Sequence, residues 1–269
     1  MMLVGCVGVG ESKPEILTGM VEVENPVFTE PSPTSTKTVI EATIVYPEIN
    51  HEDILETIPN TPTPQQTSWI ICSPLAEHDV DHLKDIVSSP YDPPPMGKDD
   101  RHQGVDFAYY NQVGRASILG EGIQAILGGW VAAVLEDQLP YGNMVMLETP
   151  LRMVPPFMRD RLSLEENESL YHLYAHMESP PDFVLGSWVN CGDYLGNVGK
   201  TGYNIPVAHL HLETRKGPIG WQFDGMAYYD TRATESERYN YELWRTSGKF
   251  RHFDPMILFG IFDTLEDNR

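Results

Sequence analysis

Two histidines one residue apart, His209 and His211 in "VAHLHLETR", are the residues of this chain best placed to do chemistry. In an extended strand residues i and i+2 point the same way, so both imidazoles share one face and Leu210 points to the other. Two imidazoles side by side in an apolar core are costly, because each ring has two nitrogens that need partners. The pair makes sense where that face is a polar site. Upstream, "RHQGVDF" sets His102 and Asp106 four residues apart across a glycine turn, and "LYAHM" brings His176 to the end of a strand. His and carboxylate ligands, three in all with an open fourth position, are the set that holds a catalytic zinc ion. Any one of these histidines alone reads as structural; their ordered grouping is what points to a site.

The elements that must position them are short strands separated by turn signals. "HQGVDFAYY", "ASILGEG", "GGWVAAVLE", "GNMVMLET", "LYHLYAHM", "YLGNVGKTG" and "AHLHLETR" follow one another at the spacing of an antiparallel β-rich domain, a sandwich or a half-open barrel. Residues 151–169 interrupt that rhythm and read as a surface insertion. Ser73-Pro74 opens a short helix that ends before Ser89-Pro90. A helical turn or two is expected in "TESERYNYELWRTSGK". Residues 7–66 are rich in Pro, Thr and Glu and poor in aromatics, which predicts a disordered tether.

Composition narrows the function. Lys+Arg of 18 against Asp+Glu of 39 gives a formal charge of -21, so the chain lacks the basic stripe that nucleic acid requires. The three cysteines, Cys6, Cys72 and Cys191, include no Cys-x-x-Cys, which argues against thiolate zinc sites and redox dithiols. "GNVGKTG" mimics the end of a phosphate loop, but Tyr194 stands where its first glycine is needed. His78 and His82 read as two exposed residues of an acidic helix, and His51, His172 and His252 have no evident partners. Tyr109, Tyr141, Tyr203 and Trp130 fit a groove or a core equally well. Glu213 fits a partner of His211 or a solvated strand position.

Taken in order, His102-x-x-x-Asp106, "LYAHM" and His209-Leu210-His211 resemble the peptidase M23 family, the LytM/lysostaphin-type zinc endopeptidases of the cell wall. "LPYGNMVMLE" is similar to that family's Gly-Tyr-Gly-Asn strand, and "VNCGDYLGNVGKTG" to its glycine-rich turn. The similarity spans about residues 87–215, within a domain expected over 67–262. It implies a mainly β fold of the LytM-like (duplicated hybrid motif) type with a few short helices. One zinc ion per chain would be held by His102, Asp106 and His211. His176 and His209 would be the unmetallated catalytic pair, His209 as base and His176 facing the oxyanion. The departures are Val207-Ala208 before the His-x-His, Leu212 after it, and the 151–169 insertion.

The activity implied is hydrolysis of peptide bonds in peptidoglycan stems or cross-bridges. The alternative is a catalytically silent envelope protein that activates or scaffolds other wall hydrolases. "MMLVGC" resembles a lipobox, the end of a lipoprotein signal peptide, which implies lipidation of Cys6 and an extracytoplasmic membrane-anchored protein; a monomer is expected. Cys72 and Cys191 then remain as an even pair, free to form a disulfide or to stay as buried thiols.

Overall fold

The computed structural model describes residues 71–109 and 117–260. Cys6, His51 and the 7–66 tether lie outside the described residues. The strands are β1 (Val87–Ser89), β2 (Gly104–Phe107), β3 (Gly122–Gln124), β4 (Gly129–Gln138), β5 (Gly142–Thr149), β6 (Glu168–Met177), β7 (Trp188–Val189), β8 (Tyr194–Asn197), β9 (Leu210–Pro218) and β10 (Arg251–Phe253). Two α-helices, α1 (Pro156–Leu162) and α2 (Glu235–Arg245), and short 3-10 turns complete the described part. Eight strands form one antiparallel sheet, seven of them in the order β1-β2-β9-β6-β5-β4-β7 and the eighth, β10, off that path. β10 pairs with residues 214–216 of β9, taking over the edge that β2 occupies along residues 210–213. β3 and β8 make a separate two-stranded sheet. The mainly antiparallel architecture with few short helices is the one expected from the sequence.

The central strands β5 and β6 are buried at every residue. A strand reads that way when both faces of its sheet are covered. Val145, Leu147, Leu170, Tyr174, Leu210 and Leu212 enter one core. Met144, Met146, Tyr171, Leu173 and Ala175 enter the other, with Tyr241, Leu243 and Trp244 of α2 packed on them. Helix α2 starts at a capping box, in which the Thr234 hydroxyl accepts from the Glu237 N–H and the Glu237 carboxylate accepts from the Thr234 N–H. It runs 11 residues, longer than the turn or two expected.

Other expectations need correction. No helix opens at Ser73-Pro74; a 3-10 helix spans only Val80–Ile86. The reason is tertiary pairing: Leu75 bridges to Ile123, the Cys72 N–H donates to the Ile126 carbonyl, and Cys72 is disulfide-bonded to Cys191 with Cα atoms 5.8 Å apart. "ASILGEG" is not a strand, since β3 begins only at Gly122. The 151–169 segment is more than a surface insertion, because it sends Val154 and, from α1, Met158 and Leu162 into the first core. Among the described residues no helix is long and apolar enough to cross a membrane.

Candidate metal centre and active-site cleft

Pairing of β2 with β9 sets Asp106 directly opposite His211, and pairing of β6 with β9 sets Ala175 against the same residue. His102 lies just before β2, in a bridge with Asp92. The His102 Nε2, Asp106 Oδ1 and His211 Nδ1 atoms are consequently 3.0, 2.7 and 3.1 Å apart. This trio is a group able to hold a metal ion. A tetrahedral ion with bonds near 2.0–2.1 Å spans ligand-to-ligand edges of roughly 3.3 Å, so a few tenths of an ångström of expansion accommodates one.

Room for the trio depends on Gly104. A Cβ there would stand 2.6 Å from the Leu212 carbonyl oxygen and 2.8 Å from His211 Cε1, so any side chain at this position would push the imidazole aside. His209 stands one residue ahead of β9 and, like His211, faces the cleft. His176 reaches it through a bulge. Val145 pairs with Tyr174 and Asn143 with Met177, so β6 takes three steps where β5 takes two. The extra residue puts His176 in the left-handed region at φ 62° and aims its ring at the site. The His176 ring centroid is 4.8 Å from that of His209 and 5.6 Å from that of His211.

Backbone and carboxylate acceptors decide which nitrogen of each ring faces the cleft. His102 donates from Nδ1 to the Pro90 carbonyl at 2.9 Å. His176 donates from Nδ1 to Thr201 O at 2.8 Å, and His209 from Nδ1 to Val207 O at 3.0 Å. All three therefore present Nε2. His211 is turned the other way: its Nε2 faces Glu213 Oε1 at 3.1 Å, leaving Nδ1 for the trio.

The electrostatics follow from burial and partners. Burial favours the neutral carboxyl of Asp106, but the hydrogen bonds with His102 and His211 outweigh it and hold the group well below the usual range. Burial would favour neutral His211, yet the Asp106 and Glu213 carboxylates on either side raise it to about 9. Burial, reinforced by the neighbouring His211 and His209, lowers His176 to about 3. Burial also lowers His209. Two neutral imidazoles thus flank a carboxylate-held pair.

Glu213 is fully buried and belongs to the site rather than to solvent. It faces His211 and accepts from Tyr141, Arg215, Trp244 and Arg245. Of the four aromatic candidates, Tyr141 and the exposed Tyr203 line the cleft, whereas Tyr109 is a core residue and Trp130 packs edge-on against Trp188. His78 and His82 share no exposed helix face. His78 precedes the 3-10 helix and meets the Tyr109 hydroxyl and the Glu121 carboxylate, while His82 is exposed beside Asp85. His172 is buried between the Thr149 and Tyr174 hydroxyls, 2.8 Å from each. His252 meets the Tyr91 hydroxyl at 2.6 Å. The sequence carried one signal for the missed residues: Arg215 continues the alternation of His209, His211 and Glu213 on one face. Nothing in it pointed to Arg245 or Asp99.

No family model matches this sequence, and neither does any curated protein. Solved structures similar to it include M23 peptidases. A variant of the catalytic domain of the prophage-encoded M23 protein EnpA from Enterococcus faecalis is 26% identical, with 51% of this chain and 85% of that one covered and a TM-score of 0.35. The catalytic domain of the antimicrobial peptidase lysostaphin from Staphylococcus simulans is 24% identical over 52% and 87% of the two chains, with a TM-score of 0.36. A zinc-containing peptidase from Vibrio cholerae is 19% identical over 54% and 35%, with a TM-score of 0.34.

Proposed function

We propose that this chain is a zinc-dependent endopeptidase of the M23 type that cuts peptide bonds in peptidoglycan stems or cross-bridges outside the cytoplasmic membrane. The observation that carries this reading is the convergence of His102 Nε2, Asp106 Oδ1 and His211 Nδ1 beside two neutral histidines in one cleft. Two imidazoles and a carboxylate form a donor set suited to zinc. The three residues would hold the ion, which when bound would acidify water and polarise the scissile carbonyl. The Cys72–Cys191 disulfide fits an oxidising compartment.

The proton traffic belongs to His209 and His176. His209 accepts the proton of the attacking water at Nε2, because Nδ1 is committed to Val207 O and the Asp106 carboxylate 3.7 Å away stabilises the imidazolium. The same nitrogen returns the proton to the leaving amine. His176 has its Nδ1 proton bound to Thr201 O, so its neutral ring offers only a lone pair at Nε2. With that nitrogen an acceptor and the ring held neutral by burial, it orients the attacking water for His209 and gives no proton to the tetrahedral oxyanion. Tyr203, Ile205, Pro206 and Val207 wall the cleft and seat an extended peptide.

The test is the metal content of the purified protein, together with turnover of cross-linked peptidoglycan fragments with and without chelator, read as product masses. One zinc per chain, chelator-sensitive cutting and recovery on adding zinc are expected. A metal-loaded protein that never cuts would instead support the silent activator. Cleavage of free peptides with indifference to wall material would point to a peptidase of small secreted peptides.

A further inference from the structure

Behind the cleft lies a buried ionic cluster that the catalytic scheme leaves unused. Glu213 Oε1, which faces His211 Nε2, accepts from Arg245 Nη1 at 2.6 Å and from the Tyr141 hydroxyl at 2.9 Å. Glu213 Oε2 accepts from Arg215 Nη2 at 2.7 Å and from the Trp244 indole N–H at 2.9 Å. On its other side Arg245 donates from Nε to Asp99 Oδ1 at 2.6 Å, and the Tyr241 hydroxyl donates to Asp99 Oδ2 at 2.5 Å. Asp99 stands three residues ahead of His102. Gln103, next to His102, accepts from Arg215 at 2.5 Å. The last turn of α2 therefore grips both ligand-bearing segments.

Resting on the metallopeptidase reading above, we propose that Arg245 is a positioning residue for the metal centre. It ties Glu213 behind His211 to Asp99 ahead of His102. Two requirements make this necessary. His211 offers its Nδ1 lone pair to a metal only while Nε2–H is held by an acceptor, and Glu213 Oε1 is that acceptor. Glu213 and Asp99 are in turn balanced by Arg215 and Arg245, two charges against two. Without Arg245, Asp99 keeps a neutral hydroxyl, a neutral amide and no buried cation, while Glu213 keeps the two hydrogen bonds that Arg215 gives its Oε2 and is pulled toward Arg215, away from His211. A planar guanidinium can serve both carboxylates at once, whereas an ammonium is a point charge.

The experiment measures zinc affinity by chelator competition on the folded full chain, alongside thermal stability. Arg245→Met is expected to weaken zinc binding about 10- to 100-fold, and Arg245→Lys to recover part of that loss. Leu243→Ala, on the core side of the same helix, is the control, with lower stability and unchanged affinity. The proposal fails if Arg245→Met binds zinc as tightly as the parent, or if Leu243→Ala weakens binding as much. If Arg245→Met does not fold, Tyr241→Phe removes a single hydroxyl from Asp99 and should weaken zinc binding about 2- to 10-fold, the weight of one hydrogen bond. Unchanged affinity in that variant overturns the proposal. A parent protein that binds no zinc overturns the metallopeptidase reading and this one with it. A parent that binds zinc beside variants that bind it equally overturns this one alone.

Discussion

Metal binding at this site must expel a proton, and the structure sets the scale of the effect. His211 lies between Asp106 at 2.7 Å and Glu213 at 3.1 Å, and the two carboxylates outweigh burial and raise it to about 9. A metal needs Nδ1 as a lone pair, so it competes with the proton. At pH 7 that competition weakens the apparent affinity about 100-fold relative to the fully deprotonated site, at pH 8 about 10-fold and at pH 6 about 1000-fold. Asp106 is ionised throughout this range, and His176 stays neutral, so neither adds to the slope. Titration calorimetry with zinc in buffers of different ionisation enthalpy should report at least about one proton released per ion at pH 7, His211 giving one and the acidified water adding to it. Apparent Kd should fall about 100-fold from pH 6 to pH 8. The metal-free protein carries the same signature. A group whose folded pKa is raised contributes stability that is fully present below its unfolded value near 6.5 and is lost as pH rises through about 9, here about 3 kcal/mol in all. Zinc uptake that releases no proton and has a pH-independent affinity between pH 6 and 8 would refute the reasoning.

Three further outcomes are expected. His209→Ala and His176→Ala should each keep one zinc per chain by metal analysis while slowing peptide hydrolysis about 100- to 10,000-fold, because neither ring belongs to the trio. Gly104→Ala should weaken zinc binding at least about tenfold and destabilise the fold by about 1–3 kcal/mol in denaturant unfolding, since its methyl group displaces His211. Burial lowers His172 to about 3, so its contribution is present above pH 6.5 and is lost as pH falls toward about 3. From pH 7 to pH 5 the parent should therefore lose about 2 kcal/mol more than His172→Gln in urea titrations.

Local geometry made part of the site legible in the sequence. A two-residue strand period puts His209, His211, Glu213 and Arg215 on one face whatever the rest of the fold does. The same alternation sends Leu210 and Leu212 to the opposite core. Hydrophobic runs marked β5, which opens at Gly142, and β6, because strands covered on both faces have little else to display. Where the reading failed, a distant segment had won. Ser73-Pro74 carries a valid helix-start signal, but pairing with Ile123 and Ile126 and the tie to Cys191 claim that backbone instead.

What the chain determined alone was therefore the face on which each chemical group stands and the order in which those groups arrive. Tertiary structure decided who meets whom. It alone joined Cys72 to Cys191 across 119 residues, bulged β6 so that His176 turns into the cleft, and brought Arg245 against a carboxylate 32 positions earlier. The physical reason is one of range. Backbone periodicity acts over two to four residues, while a buried charge finds its partner only after the sheet and α2 have packed and removed water from between them.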